Sequence, residues 1–245
     1  MVTPAALVLF AVPAAATPHH HKHLAPVCSR GSSPFKSAGR SYRQTIAVDP
    51  YAQVYSLSSR APVPPLNTYG EGGSDWPIYG CVYGHRGAYL LGSLPDFTTT
   101  SRYSTGYFEG DLNVVLAGPI VAYESFVLAE GLDGYRWRVV VQDLRTGRAL
   151  RKEPTGVPAT LGGEPEFEAI AGIGHTTAIV VKSDGSVAWI VDPNEAKGHY
   201  QVHAADTTGS WMLASGADID PTSLALAGST LYWTQGDRPY SASLN

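Results

Sequence analysis

Apolar residues in this chain gather in short runs of roughly four to eight, bounded by Gly, Pro, Asn, Asp and Ser, and no long stretch repeats at the helical period. Three segments share one pattern: LNVVLAGPIVAYES (112–125), AIVVKSDGSVAWIVD (178–192) and SLALAGSTLYWTQGD (223–237). Each is a Leu-rich or β-branched run, a glycine-containing turn, and a second run that reaches an aromatic residue, which predicts a β-hairpin. With Gly118, Gly185 and Gly228 as equivalent corners, Tyr123, Trp189 and Trp233 fall at equivalent depth, and these rings are expected to fill the space between neighbouring sheets. An isolated hairpin is marginal in water, so each needs further strands.

Candidates for those strands lie just beyond the first two hairpins. WRVVVQDLRTGRAL (137–150) and YQVHAADTTGSWML (200–213) each open on an aromatic residue, run on as a strand expected to alternate between exposed and buried positions, and turn at an Asp followed by Thr-Gly. The Asp and Thr side chains can bond turn amides while Gly147 or Gly209 takes the positive φ. A fainter copy comes earlier, with strand candidates at AQVYSL (52–57), PIYGCVYG (77–84) and GAYLLGSL (87–94). Each unit therefore reads as four antiparallel strands, A to D, recurring at roughly 40 to 65 residues. The wider spacing between Gly118 and Gly185 holds the insertion RKEPTGVPATLGGEPEFEA (151–169). The expected fold is all-β: a β-propeller or propeller-like array of about four antiparallel four-stranded blades, or five if the GYFEGDLN and FEAIAGIG regions hide a partial one.

In the last unit RPYSASLN comes after the hairpin as strand C and no strand D remains. YRQTIAV (42–48), which alternates Tyr42, Gln44, Ile46 and Val48, is the segment expected to complete that blade.

Composition narrows the class. The 245 residues carry a net formal charge of −4, with 44% hydrophobic and 16% charged side chains, which excludes a disordered chain and a nucleic-acid coat. The 26 Gly, 18 Pro and 14 Tyr suit many short strands and turns. Residues 1–16 have an apolar stretch from Ala5 to Val12 and small residues before Thr17, as a secretory signal peptide does, although no Lys or Arg precedes the apolar part. The expected organisation is a signal peptide at 1–16, a flexible N-terminal segment at 17–41 and a single domain at 42–245, secreted, without a membrane span. In an exported chain Cys28 and Cys81 are expected to form one disulfide.

The DLRTG and DTTG turns after a Val-rich strand, and the LALAGSTLYWT hairpin, resemble the repeats of secreted bacterial β-propellers of the YVTN and quinoprotein-like kind, over roughly residues 45 to 245. The resemblance implies a scaffold and no substrate, cofactor or catalytic residue, because propellers host binding, lyase, hydrolase and structural roles alike.

Candidate chemistry is sparse. HHHKH (19–23) could hold Cu(II), Ni(II) or Zn(II) weakly, but Pro18 lacks the amide that an amino-terminal copper motif needs, and a solvated tail is the preferred reading. Asp218 with Asp220, and the DPNE run at 192–195, lack the full oxygen set of a calcium loop and read as turns, so no metal site and no cofactor is expected. GxSxG, HExxH and GxxxxGK[ST] are absent from the sequence. His85, His175, His199 and His203 could meet carboxylates across blades, though nothing in the sequence pairs them, and His203 is expected to be an exposed strand histidine.

Function in such scaffolds sits on loops. The longest are SSRAPVPPLNTYGEGGSDW (58–76), TTTSRYSTGYFEGD (98–111) and 151–168, and Arg102, Tyr103, Tyr107 and Phe108 have the character of a recognition surface. The preferred reading is a secreted, monomeric, non-catalytic binding module for an extracellular protein or glycan. The alternative is an extracellular carbohydrate-active hydrolase or lyase with two loop carboxylates at the ring mouth.

Overall fold

The computed structural model describes residues 27–30, 42–58, 77–93, 113–128, 135–156, 174–193 and 198–245. Among these it is all-β and without helix, with four antiparallel sheets of three or four strands each. The first sheet holds β1 (Tyr42–Val48), β2 (Ala52–Ser58), β3 (Pro77–Val82) and β4 (Tyr89–Ser93). The second holds β5 (Val114–Ala117), β6 (Ile120–Leu128), β7 (Tyr135–Asp143) and β8 (Arg148–Pro154). The third holds β9 (His175–Val181), β10 (Val187–Asp192), β11 (Tyr200–Asp206) and β12 (Gly209–Gly216). The fourth has three strands, β13 (Ala225–Ala227), β14 (Thr230–Gln235) and β15 (Arg238–Ser243). Every sheet is a meander in chain order, as short connections favour.

The predicted corners and turns form as expected. Gly118, Gly185 and Gly228 turn the first hairpin of their sheets with φ of 63°, 90° and 62°. Asp143 accepts from the Arg145 amide at 2.8 Å and Asp206 accepts from the Thr208 amide at 2.7 Å, so both Asp-to-Gly turns are braced by their own carboxylates.

Apolar clusters join the sheets in sequence. Ala52, Val54 and Ile78 of the first sheet pack with Val121, Tyr123 and Val140 of the second. Ile120, Ala122 and Val139 of the second pack with Ile179, Val187 and Trp189 of the third. Ile190 and Val202 of the third pack with Leu231 and Trp233 of the fourth. The three matched rings, Tyr123, Trp189 and Trp233, thus each face the preceding sheet. Tyr55 of β2 is the corresponding ring of the first sheet, and the residues packed around it are Cys28, Cys81, Leu57, Tyr79, Tyr83 and Ala88.

Cys28 and Cys81 form the expected disulfide across 53 positions of sequence. It anchors residues 27–30 to the first sheet, with the Cys28 amide donating to the His85 carbonyl at 2.8 Å and the Gly84 amide to the Cys28 carbonyl at 3.0 Å. Closing a loop of that length stabilises the fold by about 4 kcal/mol in the chain-entropy treatment.

Three expectations are corrected. Residues 42–48 do not complete the last sheet: β1 pairs with β2, from Tyr42 opposite Ser58 to Val48 opposite Gln53, and is the first strand of the first sheet. The cause is local, because Asp49 accepts from the amides of Tyr51 and Ala52, each at 2.7 Å, and so closes a tight hairpin. The third strands, β7 and β11, do not alternate between water and core. Trp137, Val139, Val140 and Val141 are all buried, and β11 is buried from Gln201 to Asp206, because the second and third sheets each lie between two others. The alternation appears one strand later, in β8. His203 is accordingly 5% exposed rather than a surface residue. The described strands close neither a barrel nor a ring.

Candidate functional site between the second and third sheets

The meander sorts the connections by length. The first hairpin turn of every sheet, and the turns that join β3 to β4, β7 to β8 and β11 to β12, lie at one end, where neighbouring sheets are tied by Gly118 N to Asp49 Oδ2 at 2.8 Å, Lys182 Nζ to Ser229 Oγ at 3.1 Å and Asn245 N to Asp206 Oδ2 at 2.8 Å, whereas the tight turn at Gly236–Asp237 between β14 and β15 lies at the other. An antiparallel meander then places the ends of β2, β4, β6, β8 and β10, and the starts of the strands after them, at the opposite end. The long connections named from the sequence all join strands at that end.

A polar cluster lies there between the second and third sheets. Glu124 stands in β6 within the apolar run IVAYESFVL, on the face that also carries Ile120 and Ala122 toward the third sheet. Its carboxylate is 6% exposed and is held from the start of β9: Nδ1 of His175 lies 2.7 Å from Oε1, and the amide and hydroxyl of Thr176 both donate to Oε2. Asn113, just before β5, donates its amide to the Thr176 carbonyl and to Thr176 Oγ1 at 3.3 Å. Trp137 of β7 packs its ring against the His175 imidazole, with centroids 4.1 Å apart.

The sequence builds this cluster through the entry into β9. Gly174 adopts φ 96°, and a Cβ there would stand 2.0 Å from the Asp192 carbonyl oxygen, so only glycine lets the chain enter the sheet at this point. Thr155, after β8, donates its hydroxyl to the Gly174 carbonyl at 3.0 Å and accepts at its own carbonyl from Nε1 of Trp189. A buried carboxylate is tolerated only when hydrogen-bonded, and these donors supply that. Nδ1 of His175 is committed to Glu124, which sets the ring orientation, and the imidazole stays half-buried. A carboxylate that orients an imidazole at the edge of an apolar interior can bind a polar ligand or move a proton.

His203 lies deeper. Its ring stacks on Trp189 with centroids 5.3 Å apart and an interplanar angle of 8°, and Nε2 lies 2.9 Å from Gln201 Oε1. Burial pushes its pKa down to about 4, so the ring is neutral near neutral pH.

Of the histidines named from the sequence, His175 meets a carboxylate, His203 is interior, and His199 pairs with Ser215 Oγ at 2.9 Å. Asp220 acts as a turn former, accepting from the Thr222 amide at 2.9 Å and hydroxyl at 2.8 Å, while Asp218 Oδ1 accepts from Gln235 Nε2 at 3.0 Å. No group of three or more metal-ligating side chains occurs among the described residues. Arg102, Tyr103, Tyr107, Phe108, the His19–His23 tract and the expected signal peptide at 1–16 lie outside the described residues. The sequence reading missed Glu124, although a lone charge inside a nine-residue apolar strand was a usable signal. No described helix is long and apolar enough to cross a membrane, and the disulfide is compatible with an extracytoplasmic location.

Neither a protein-family model, nor a curated protein, nor a solved structure matches this chain. The likeness to YVTN and quinoprotein-like propellers therefore stands on the repeated turn and hairpin pattern alone.

Proposed function

We propose that this chain is a secreted, non-catalytic binding module on a propeller-like array of four sheets, and that it engages an extracellular protein or glycan with the end carrying the long connections. The observation that carries the reading is where the long connections fall: those after β2, β4 and β8 all join strands at the end opposite the first hairpin turns, beside the Glu124–His175–Trp137 cluster. The repeated order of strands and the placement of Tyr123, Trp189 and Trp233 toward the preceding sheet support the propeller-like reading. Arg102, Tyr103, Tyr107 and Phe108 are the recognition residues of this proposal, in the segment that joins β4 to β5.

The test presents the mature chain to an arrayed set of glycans and to immobilised polysaccharides and extracellular proteins. Saturable binding that is lost when Arg102, Tyr103, Tyr107 and Phe108 are all changed to Ala supports the reading. Binding that is indifferent to those changes overturns the assignment of that surface.

A second reading, an extracellular carbohydrate-active hydrolase or lyase, is favoured by one observation: a buried carboxylate orients a half-buried imidazole, an arrangement suited to acid–base work. Reproducible polysaccharide turnover abolished by His175→Ala would establish it in place of the binding module.

A further inference from the structure

On the outer face of the first sheet, the face turned away from the second, three hydrogen-bond donors are buried without acceptors among the described residues. Arg43 of β1 lays its guanidinium over the ring of Tyr55, with Cζ 4.4 Å from the ring centroid. One nitrogen, Nη2, is used by the Gln53 side-chain carbonyl. Nε of Arg43, the phenol oxygen of Tyr55 and the phenol oxygen of Tyr83 are all buried and have no hydrogen-bond partner among the described residues. Tyr55 is 0% exposed, and Tyr83 lies near enough to act electrostatically on the guanidinium.

Charge makes the grouping more telling. No carboxylate pairs with Arg43 among the described residues. A guanidinium partly withdrawn from water is stabilised by an anion, and each unpaired buried donor costs about 1–3 kcal/mol. Orphaned polar groups in native proteins are rare and call for an explanation such as an ion. Burial raises the Tyr55 pKa well above its usual value, so this phenol is a donor at every physiological pH. One cation and two hydroxyls therefore share a single kind of missing partner, a compact group of negative acceptor atoms.

We infer that Arg43, Tyr55 and Tyr83 form a binding site for a small oxyanion, either inorganic phosphate or sulfate or the carboxylate of an organic acid. The guanidinium supplies charge and one N–H, and the two phenols donate to the same anion. The site stands on the opposite face of the first sheet from the Tyr123 cluster, and so is separate from the Glu124–His175 cluster. Gln53 links it to the anchored N-terminal segment, since its Nε2 donates to the Ser29 carbonyl at 3.0 Å and contacts both sulfurs of the disulfide at 3.4 Å. Occupancy is thus coupled to the seating of residues 27–30.

The test tracks the Nε–H signal of Arg43 in a proton–nitrogen correlation spectrum of the full chain, assigned by its loss in Arg43→Lys or, if that variant does not fold, by its displacement in Tyr83→Phe. Sodium phosphate, sodium sulfate and sodium acetate are titrated separately against sodium chloride at matched ionic strength. The inference expects a saturable shift with at least one oxyanion and not with chloride, and affinity weakened about tenfold in Tyr55→Phe and in Tyr83→Phe, as loss of one hydrogen bond to a charged group implies. Saturation by phosphate or sulfate identifies the inorganic source, and saturation by acetate the organic acid. The inference is overturned if no oxyanion gives a saturable shift, if chloride gives the same shift, or if both Tyr→Phe variants bind as the parent does.

Discussion

Acid should destabilise this protein through His203, and the size of the effect is set by its surroundings. The imidazole is stacked on Trp189, 5% exposed, and has its pKa pushed from 6.5 down to about 4 by burial. The unfolded chain therefore takes up a proton near pH 6.5 that the folded chain refuses until about pH 4, so the unfolded state binds more protons throughout that window. Stability contributed by neutral His203 is complete above the unfolded value and is lost as pH falls toward the folded one. Between about pH 7 and about pH 4.5 the loss from this group is about 2–3 kcal/mol. At a urea dependence of about 2 kcal/mol/M, the unfolding midpoint would fall by about 1 M on this account alone. Carboxylates and other histidines also titrate, so the comparison is with His203→Phe, which keeps an aromatic ring against Trp189 and cannot take up a proton. Urea unfolding of both proteins across this pH range, monitored by tryptophan fluorescence, reads the difference. The parent should lose about 2–3 kcal/mol more than the variant. Equal pH slopes would refute the claim that burial holds this ring neutral.

Other expectations concern packing and tethers. Changing both Cys28 and Cys81 to Ser should lower stability by up to about 4 kcal/mol, and addition of a reductant to the parent should give the same shift in chemical denaturation. Trp189→Ala removes a fully buried ring and its bond to the Thr155 carbonyl, and should cost about 3–5 kcal/mol, whereas Tyr232→Ala, at a ring 43% exposed, should stay within about 1 kcal/mol when measured the same way. Glu124→Gln replaces one acceptor oxygen with a donor facing donors, and should cost about 1–3 kcal/mol, read as a lower urea midpoint and faster amide exchange at Thr176.

Much of the architecture could be read from contiguous residues. The three hairpins, their glycine corners, the Asp-braced turns and the order of strands in the second and third sheets all stand where the apolar pattern puts them. The candidate site was less legible. His175 was visible as a residue in search of a partner, but Glu124 lies in another sheet, brought to it by packing across sheets rather than by the chain between them.

By itself the sequence determined the local elements, because turn chemistry and strand alternation act between residues a few positions apart. Tertiary structure decided which strand faces are covered. That choice turned β7 and β11 from half-exposed strands into interior ones, buried His203 against Trp189, and joined β1 to its own hairpin partner rather than to the last sheet. It also set Glu124 beside His175 and left Arg43 with two phenols and, among the described residues, no carboxylate. Whether a side chain meets water or a neighbouring sheet depends on segments far away in sequence, and burial energy, which carries no local signature, settles it.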